Sequence, residues 1–183
     1  MIGMRPNMQK NIRLEDFKLL TVLGRGTFGK VYLAEHSTSK ALYAIKSIRK
    51  DVLLDYDQVK NTKLEKDILF SCDHPFLVGM DFLFQSPLRL YFVMPFVQGG
   101  ELYKVFRGCK RFPEEVVKFY GYQIVQAVGY LHTQGIAHRD LKLENILIDE
   151  DGYLKIIDYG LAKMIGAGKH LLFTSLNSFL MCR

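Results

Sequence analysis

The chain has 183 residues, of which 49% are hydrophobic, and its formal net charge is +6 at pH 7. This apolar content is sufficient for the core of one ordinary domain or of two small lobes. The basic residues are scattered rather than gathered into a stripe, which argues against a nucleic-acid binder. No apolar run is long enough to cross a bilayer, and the first residues contain no signal core. The three cysteines have no metal-type spacing, so we expect reduced thiols in a cytoplasmic protein, with the nucleus as the other compartment that fits.

Residues 1–16 are predicted to form a loose leader, and short strands begin after it. The first two strands enclose Gly24, Gly26 and Gly29, which form a Gly-x-Gly-x-x-Gly pattern. Dinucleotide-binding folds continue this pattern into a helix, but here residues 31–34 alternate as a strand. The glycines are therefore predicted at the tip of a β-hairpin, where missing Cβ atoms would let backbone N–H groups approach phosphates. A plain glycine-rich turn is the alternative when this segment is taken alone.

The next strand, residues 42–48, carries a lysine on its apolar face. A period of two puts Lys46 on the same side as Leu42, Ala44 and Ile48, and a lysine facing inward needs an anionic partner. Residues 57–70 are predicted to form a helix with Glu65 within its apolar side. We therefore predict an ion pair between Lys46 and Glu65.

Further elements follow in chain order. Residues 76–84 and 89–93 are predicted to be strands, and a short helix starts at residues 102–106. A long helix is predicted from Pro113 to about His132, with proline near its first turn and acidic residues after it. Its apolar stripe is wide, so we expect much of its surface to be buried.

The sequence around residues 138–158 contains the most polar chemistry. Residues 146–148 are apolar, residues 153–157 are apolar except for Lys155, and the Asp-Gly before the second run predicts an antiparallel hairpin. The hairpin would bring Asn145 and Asp158 to one end, next to Asp140 and Lys142. Three oxygen-bearing side chains and one ammonium suit a hard cation and a phosphate.

These pieces, in this order, resemble the eukaryotic protein kinase fold from about Phe17 to Lys163. Within that family the chain is most similar to the AGC group, which contains the cAMP-dependent, protein kinase B and protein kinase C relatives. The similarity is carried by residues 23–31, 74–76, 99–102 and 139–145.

The resemblance implies an α+β, protein-kinase-like bilobal fold. Residues 17–97 would form a complete β-rich N-lobe with one main helix, followed by the hinge. Residues 98–168 would form an incomplete helical C-lobe with the catalytic loop and the magnesium-binding loop. Residues 169–183 are an atypical tail.

The resemblance also implies ATP and Mg²⁺ as cofactors and a protein hydroxyl as the phosphoryl acceptor. Asp140 would accept the hydroxyl proton or position that hydroxyl, and Lys142 would offset charge on the transferred group. Asn145 and Asp158 would carry Mg²⁺. Nucleotide contacts are implied for Leu23, Gly24, Gly26, Gly29, Val31, Ala44, Lys46, Glu65, Met94, Pro95, Val97, Glu101, Asn145 and Asp158.

For some of these residues the resemblance implies a contact with a particular part of the nucleotide. Lys46, oriented by Glu65, would hold the α- and β-phosphates, and Glu101 would reach the ribose. Pro95 stands where relatives usually carry an acid, but the hinge uses its carbonyl and the N–H of Val97, so adenine binding should survive.

Two residues of the catalytic motifs depart from the group. His138 stands where AGC kinases usually have tyrosine, and we expect a packed structural histidine there. Tyr159 replaces the usual phenylalanine between Asp158 and Gly160. Its hydroxyl must find a partner if it is buried, so we expect tuning of the site rather than its loss.

The C-terminal stretch matches the group poorly. After Lys163 a kinase should continue into an activation loop and an Ala-Pro-Glu motif, but residues 164–183 contain neither proline nor an acidic residue. We therefore expect a truncated or mis-spliced reading frame that diverges near Gly168 or Lys169. Arg139, which grips the activation-loop phosphate in relatives, would then have no partner.

Three functional hypotheses remain open from the sequence. The first is a Ser/Thr protein kinase domain, expected to be monomeric and to act on proteins with arginines near the target hydroxyl. The second is a catalytically impaired kinase-like fragment that binds ATP or a partner protein. The third, a nucleic-acid binder, rests on net charge alone, and we expect no nucleic-acid partner.

Overall fold

The computed structural model describes residues 12–109 and 111–165. These residues divide into two compact units. The first contains residues 12–71 and 79–96, and the second contains residues 72–78, 97–109 and 111–165. Each unit has its own secondary structure and its own buried residues.

The first unit is built on a five-stranded antiparallel sheet with the strand order β1-β2-β3-β5-β4. A 3₁₀ turn at Leu14–Asp16 precedes the first strand. The strands are β1 (Phe17–Gly26), β2 (Gly29–His36), β3 (Leu42–Arg49), β4 (Phe82–Gln85) and β5 (Arg89–Pro95).

One face of this sheet carries an aromatic core. The buried members of the core are Phe17, Ala34, Ile45, Tyr91 and Val93. The Phe17 ring lies 5.7 Å from the ring of Tyr43 and 6.2 Å from the rings of Phe82 and Phe84. Since alternate residues of a strand point to opposite faces, β3 presents Ile45 to this core and its neighbours Ala44 and Lys46 to the other face.

Two helices belong to the same unit. Helix α1 (Lys50–Asp55) is a short helix that the sequence did not predict, and α2 (Val59–Ser71) confirms the helix expected over residues 57–70. Helix α2 buries Glu65, Ile68 and Leu69, so its inward side combines one carboxylate with apolar groups.

The strand predicted over residues 76–84 is wrong for its first half. Only Phe82–Gln85 forms a strand of the sheet, whereas Leu77 makes a parallel bridge to Ile156 in the second unit. The Val78 N–H donates to the Ile156 carbonyl at 2.9 Å, and the Met80 N–H donates to the Leu69 carbonyl of the first unit at 2.8 Å. The apolar run is therefore divided between two units, and this division accounts for its continuous hydrophobicity.

The second unit combines helices with short strand pairs. Its helices are α3 (Leu102–Cys109) and α4 (Glu114–Thr133), and a 3₁₀ turn covers Leu143–Asn145. Strand β6 (Ile136–Ala137) pairs with β9 (Lys163–Met164), and β7 (Ile146–Ile148) pairs with β8 (Leu154–Ile156), both in antiparallel fashion.

Helix α4 confirms the long helix predicted after Pro113, but less of its surface is buried than we expected. Its buried residues are Gln123, Ile124, Ala127, Val128 and Leu131, which lie on one side. Other apolar side chains of α4 are solvent-exposed, and they are Val117, Phe119, Tyr122 and Val125. None of the helices in the described ranges has both the length and the apolar character that a bilayer crossing requires.

Candidate active site

The glycine pattern lies at the tip of the β1–β2 hairpin, as predicted. Gly26 pairs with Gly29 across the two-residue turn Thr27–Phe28, and Gly24 pairs with Val31. Because the backbone continues as a strand after Gly29, this part of the chain is not the helix-opening turn of a dinucleotide-binding fold.

Gly29 differs from Gly24 and Gly26 in what an added side chain would meet. A Cβ atom added to Gly29 would lie 1.8 Å from the Ser47 carbonyl oxygen on β3, so a side chain fits at this position only if the backbone moves. A Cβ atom added to Gly24 or Gly26 would meet nothing within 4 Å. Gly29 is therefore required by strand packing, whereas Gly24 and Gly26 leave open space beside their backbone.

The predicted ion pair between Lys46 and Glu65 is confirmed. The Lys46 Nζ lies 2.5 Å from Glu65 Oε1, with side-chain exposures of 26% and 7%. Strand β3 supplies the lysine and helix α2 supplies the carboxylate. A nearly buried carboxylate is stable in this position because an ammonium faces it.

Other residues with an implied nucleotide role lie on the same sheet. Val31 is the register partner of Lys46, and Met94 is the register partner of Ala44, so these four side chains share the face opposite the aromatic core. Leu23 lies at a bulge of β1 and is 45% exposed. Pro95, Val97 and Glu101 lie outside this face, and two of them, Val97 and Glu101, belong to the second unit.

The β7–β8 hairpin joins the two ends of the polar cluster in the second unit. Ile146 pairs with Ile156, and the Ile157 N–H donates to the Asn145 carbonyl at 2.9 Å. Asn145 and Asp158 therefore flank one end of the hairpin, as the sequence predicted.

Asp140 is the centre of a hydrogen-bonded group at that end. Its Oδ2 atom accepts from Lys142 Nζ at 2.9 Å and from Asn145 Nδ2 at 2.9 Å. The Asn145 amide also donates to the Asp140 carbonyl at 2.9 Å. The hydrogen bond to Asp140 raises the pKa of Lys142, and the charges of Glu144 and Asp158 act in the same direction, so Lys142 is firmly cationic.

These contacts orient the Asn145 amide. Both neighbours of its nitrogen are acceptors, a carbonyl and a carboxylate, so the NH₂ group must face them. The Oδ1 atom is thereby the part of the amide available to a cation. Together with the carboxylates of Asp140 and Asp158, it forms a set of oxygen donors of the kind that Mg²⁺ prefers.

Among the residues described, no three His, Cys, Asp or Glu side chains are grouped as a metal cluster. Proteins commonly hold Mg²⁺ with one or two carboxylates, while substrate phosphates and water complete the shell. The donor set around Asp140 fits this mixed kind of site.

His138 links the segment that contains Asp140 to the segment that precedes Asp158. The Asp140 N–H donates to its Nδ1 at 3.3 Å, and its Nε2 lies 3.3 Å from the Ile157 carbonyl. Because Nδ1 accepts, the proton must be on Nε2, and the ring is neutral. Burial lowers the pKa of His138 from its ordinary value of 6.5, which agrees with the packed structural role that we expected.

Two residues beside this network have strained backbones. Arg139 has φ 65° and Asp158 has φ 61°, in the left-handed region where a non-glycine residue costs about 1–2 kcal/mol. The expectation that Arg139 lacks the activation-loop phosphate as a partner stays a prediction, but its side chain has a backbone partner among the described residues. Its Nε donates to the Leu161 carbonyl at 2.7 Å, because the chain after Asp158 turns back toward residue 139.

Sequence reasoning missed one supporting residue, Gln123. It is 2% exposed in the middle of α4, and its Oε1 accepts from the Leu154 N–H of β8 at 2.8 Å. The only signal in the sequence was a polar side chain within the apolar stripe of a long helix. Gln123 thus connects α4 to the hairpin that positions Asn145 and Asp158.

Comparison with known proteins identifies the family. A model of the protein kinase domain matches residues 17–181. The chain belongs to the protein kinase domain family. The predicted α+β, protein-kinase-like fold is therefore confirmed, and the tail prediction for residues 169–183 lies outside the described residues.

Individual relatives narrow this assignment to the AGC group, as predicted. The chain is 48% identical to RAC serine/threonine-protein kinase of Drosophila melanogaster over 84% of its own length and 25% of that protein. It is 46% identical to protein kinase C-like 2 of Schizosaccharomyces pombe over 84% of its length and 15% of that protein. It is 43% identical to the cAMP-dependent protein kinase catalytic subunit of the same yeast over 83% of its length and 30% of that protein. The chain thus spans less than a third of the length of these relatives.

Proposed function

We propose that this protein acts as a serine/threonine protein kinase, which transfers the γ-phosphoryl group of ATP to a protein hydroxyl. The observation that carries the proposal is the Asp140 carboxylate, bonded at 2.9 Å to both the Lys142 ammonium and the Asn145 amide. A carboxylate, a cation and an amide oxygen on one loop suit proton acceptance, charge stabilisation and metal ligation. The similarity to kinases of the AGC group supports the same assignment.

In the proposed reaction, the substrate hydroxyl oxygen forms a bond to the γ-phosphorus while the bond from that phosphorus to the β–γ bridging oxygen breaks. The hydroxyl proton passes to the Asp140 carboxylate, and ADP leaves. Oδ2 of Asp140 already accepts two hydrogen bonds, so the Oδ1 atom would face the hydroxyl. The Lys142 ammonium would stabilise negative charge on the transferred group.

Asn145 and Asp158 would hold Mg²⁺, which supplies charge neutralisation at the phosphates when it is bound. The chain's own part is to fix these ligands. Asn145 is 7% exposed and its amide nitrogen is held by two acceptors of Asp140. Asp158 is held at the end of β8 by the Ile157-to-Asn145 backbone bond.

Most of the proposed nucleotide contacts belong to the first unit. Lys46, held by Glu65 at 2.5 Å, would contact the α- and β-phosphates, and the open backbone at Gly24 and Gly26 would approach the phosphates. The other proposed nucleotide contacts are Leu23, Gly29, Val31, Ala44, Met94, Pro95, Val97 and Glu101.

A substrate with arginines near the target residue would suit the carboxylates of Glu101 and Glu144. Glu101 Oε1 already accepts from Lys104 Nζ at 3.0 Å, with the lysine side chain 72% exposed. An exposed pair of this kind is worth little, so a substrate arginine could replace the lysine at small cost.

Two assays test the proposal: binding of ATP with Mg²⁺ to the purified chain, and phosphoryl transfer to an arginine-containing peptide. We expect Asp140→Asn to abolish transfer while binding persists, and Lys46→Met to weaken binding and transfer together. Lys40→Met is the matched control, because Lys40 also pairs with a glutamate, at 3.2 Å, but with 70% side-chain exposure.

Transfer that is unaffected by Asp140→Asn would refute the assigned role. Binding without any transfer, insensitive to Asp140→Asn, would instead identify a kinase-like fragment that binds ATP.

A further inference from the structure

Tyr159, which stands where the resemblance leads one to expect phenylalanine, makes a contact that phenylalanine cannot make. The residue is 1% exposed. Its hydroxyl oxygen lies 3.1 Å from the Ile156 carbonyl and 3.5 Å from the Val78 carbonyl. A hydroxyl has a single proton, so the shorter distance assigns the donated hydrogen bond to Ile156.

The accepting carbonyl lies at a junction of two chain segments. The same Ile156 oxygen accepts from the Val78 N–H at 2.9 Å, and the Ile156 N–H donates to the Phe76 carbonyl at 2.9 Å. The Tyr159 hydroxyl therefore bonds to the residue of β8 that also pairs with residues 76 and 78.

The ring of Tyr159 contacts the catalytic loop on another side. Its centroid lies 5.4 Å from that of His138 in an edge-to-face arrangement, and His138 in turn accepts from the Asp140 N–H. Phenylalanine could keep this ring contact, because it has the same shape without the hydroxyl. The hydroxyl therefore adds the hydrogen bond to Ile156 to the contacts that the ring makes.

The hydrogen bond from the Tyr159 hydroxyl to the Ile156 carbonyl spans the strained residue Asp158. Asp158, at φ 61°, is preceded by the Ile157-to-Asn145 backbone bond and followed by Tyr159. A strained residue keeps its conformation only when its neighbours are fixed on both sides. The backbone bond fixes the side before Asp158, and on the side after it the Tyr159 hydroxyl acts together with the ring contact to His138 and the Ala162-to-Tyr159 backbone bond.

We propose that Tyr159 is a positioning residue whose hydroxyl, bonded to the Ile156 carbonyl, holds Asp158 in its left-handed conformation with the carboxylate placed for a divalent cation. This inference rests on the proposed cation-binding role of Asp158. It assigns to the tyrosine a specific effect, which is to reduce opening of the segment from Asp158 to Ala162.

Hydrogen exchange of the whole chain in metal-free buffer, compared between wild type and Tyr159→Phe, tests the effect directly. The informative amides are those of Gly160, which donates to Asp158 Oδ1 at 3.3 Å, and Ala162, which donates to the Tyr159 carbonyl at 2.9 Å. Loss of one hydrogen bond should speed their exchange roughly three- to tenfold. The affinity for Mn²⁺, measured by electron paramagnetic resonance, should fall by a similar factor.

Tyr130→Phe is the matched control. Its hydroxyl accepts from the Asp73 N–H at 3.1 Å in the same unit, so that variant also loses one hydrogen bond, but away from Asp158. We expect it to leave the exchange of Gly160 and Ala162 and the affinity for Mn²⁺ unchanged.

Unchanged exchange at Gly160 and Ala162 in Tyr159→Phe would overturn the inference, and so would an equal increase in Tyr130→Phe. Faster exchange with an unchanged affinity for Mn²⁺ would also overturn it, because the hydroxyl would then not position the cation ligand. If the wild-type chain transfers no phosphate, the proposed function fails, whereas the exchange and Mn²⁺ comparisons still decide the role of Tyr159.

Discussion

Alanine substitution of the three glycines in the β1–β2 hairpin should separate a structural requirement from a functional one. In Gly29→Ala, the new Cβ would lie 1.8 Å from the Ser47 carbonyl oxygen, whereas ordinary contact begins at 3.4 Å. The two strands must therefore move apart by about 1.6 Å, the difference between these distances. Such a movement breaks the nearby bond from the Arg49 N–H to the Phe28 carbonyl, which is 2.9 Å long.

The free-energy cost follows from the hydrogen bonds that this movement breaks. Breaking about two backbone hydrogen bonds at the end of the β2–β3 pair costs about 2 kcal/mol, and residual strain adds about 1 kcal/mol. Replacing glycine by alanine restricts the unfolded chain, and this offsets about 0.5–1 kcal/mol of the cost. We therefore expect Gly29→Ala to lower the free energy of unfolding by about 2 kcal/mol.

Gly24→Ala and Gly26→Ala are the matched controls, since an added Cβ at either position meets nothing within 4 Å. Their unfolding free energies should stay within about 0.5 kcal/mol of wild type, but their affinity for ATP with Mg²⁺ should fall if the backbone there approaches phosphate. Urea unfolding followed by circular dichroism measures the first quantity, and hydrogen exchange of the Arg49 amide reports the broken bond. Gly29→Ala with wild-type stability and a protected Arg49 amide would show that β2 and β3 accommodate the added methyl group without moving apart.

Three further predictions concern buried polar groups. A double-mutant cycle of Lys46→Met and Glu65→Gln, measured by urea unfolding, should give a coupling free energy of about 1–3 kcal/mol. A coupling free energy near zero would show that this ion pair does not stabilise the fold. Burial holds the pKa of His138 below 6.5 in the folded chain, so the unfolded chain takes up a proton that the folded chain does not. The contribution of His138 to the free energy of unfolding should therefore be fully present above pH 6.5 and should decrease as the pH is lowered below 6.5. In His138→Gln, the free energy of unfolding should decrease less over the same pH interval. Part of the loss should remain in that variant, because the pKa of His74 is also lowered, by burial and by the charge of Lys155. Finally, Gln123→Leu leaves a buried β8 amide without its acceptor and should cost about 1–3 kcal/mol in thermal or urea unfolding, whereas stability equal to wild type would show that the amide finds another acceptor.

Local patterns were sufficient to predict the parts of the site that lie on regular elements. The glycine pattern followed by an alternating strand predicted a hairpin tip, and Gly26 pairs with Gly29 there. The ion pair between Lys46 and Glu65 could be predicted because two charged residues occupied inward faces, which is stable only if they meet. The hairpin that brings Asn145 and Asp158 together was predictable from two apolar runs and an Asp-Gly.

Other features depend on contacts that a single sequence does not encode locally. The apolar run over residues 76–84 gave no sign that Leu77 would bridge to Ile156 while Phe82 joined the five-stranded sheet. A continuous hydrophobic run shows that residues are buried, but it does not show which partner buries them. The hydrogen bond from Gln123 to β8 escaped prediction for the same reason.

The backbone strain at the site links its geometry to the stability of the second unit. Arg139 and Asp158 adopt the left-handed region, at about 1–2 kcal/mol each, on either side of the Asp140–Asn145 contacts. Such conformations persist only where surrounding contacts fix them, and here those contacts come from a hairpin whose strands have three residues each. So short a hairpin is not stable alone, and it depends on helix α4 through Gln123. The position of the proposed cation ligands is therefore set by the packing of α4 as well as by the contacts between Asp140 and Asn145.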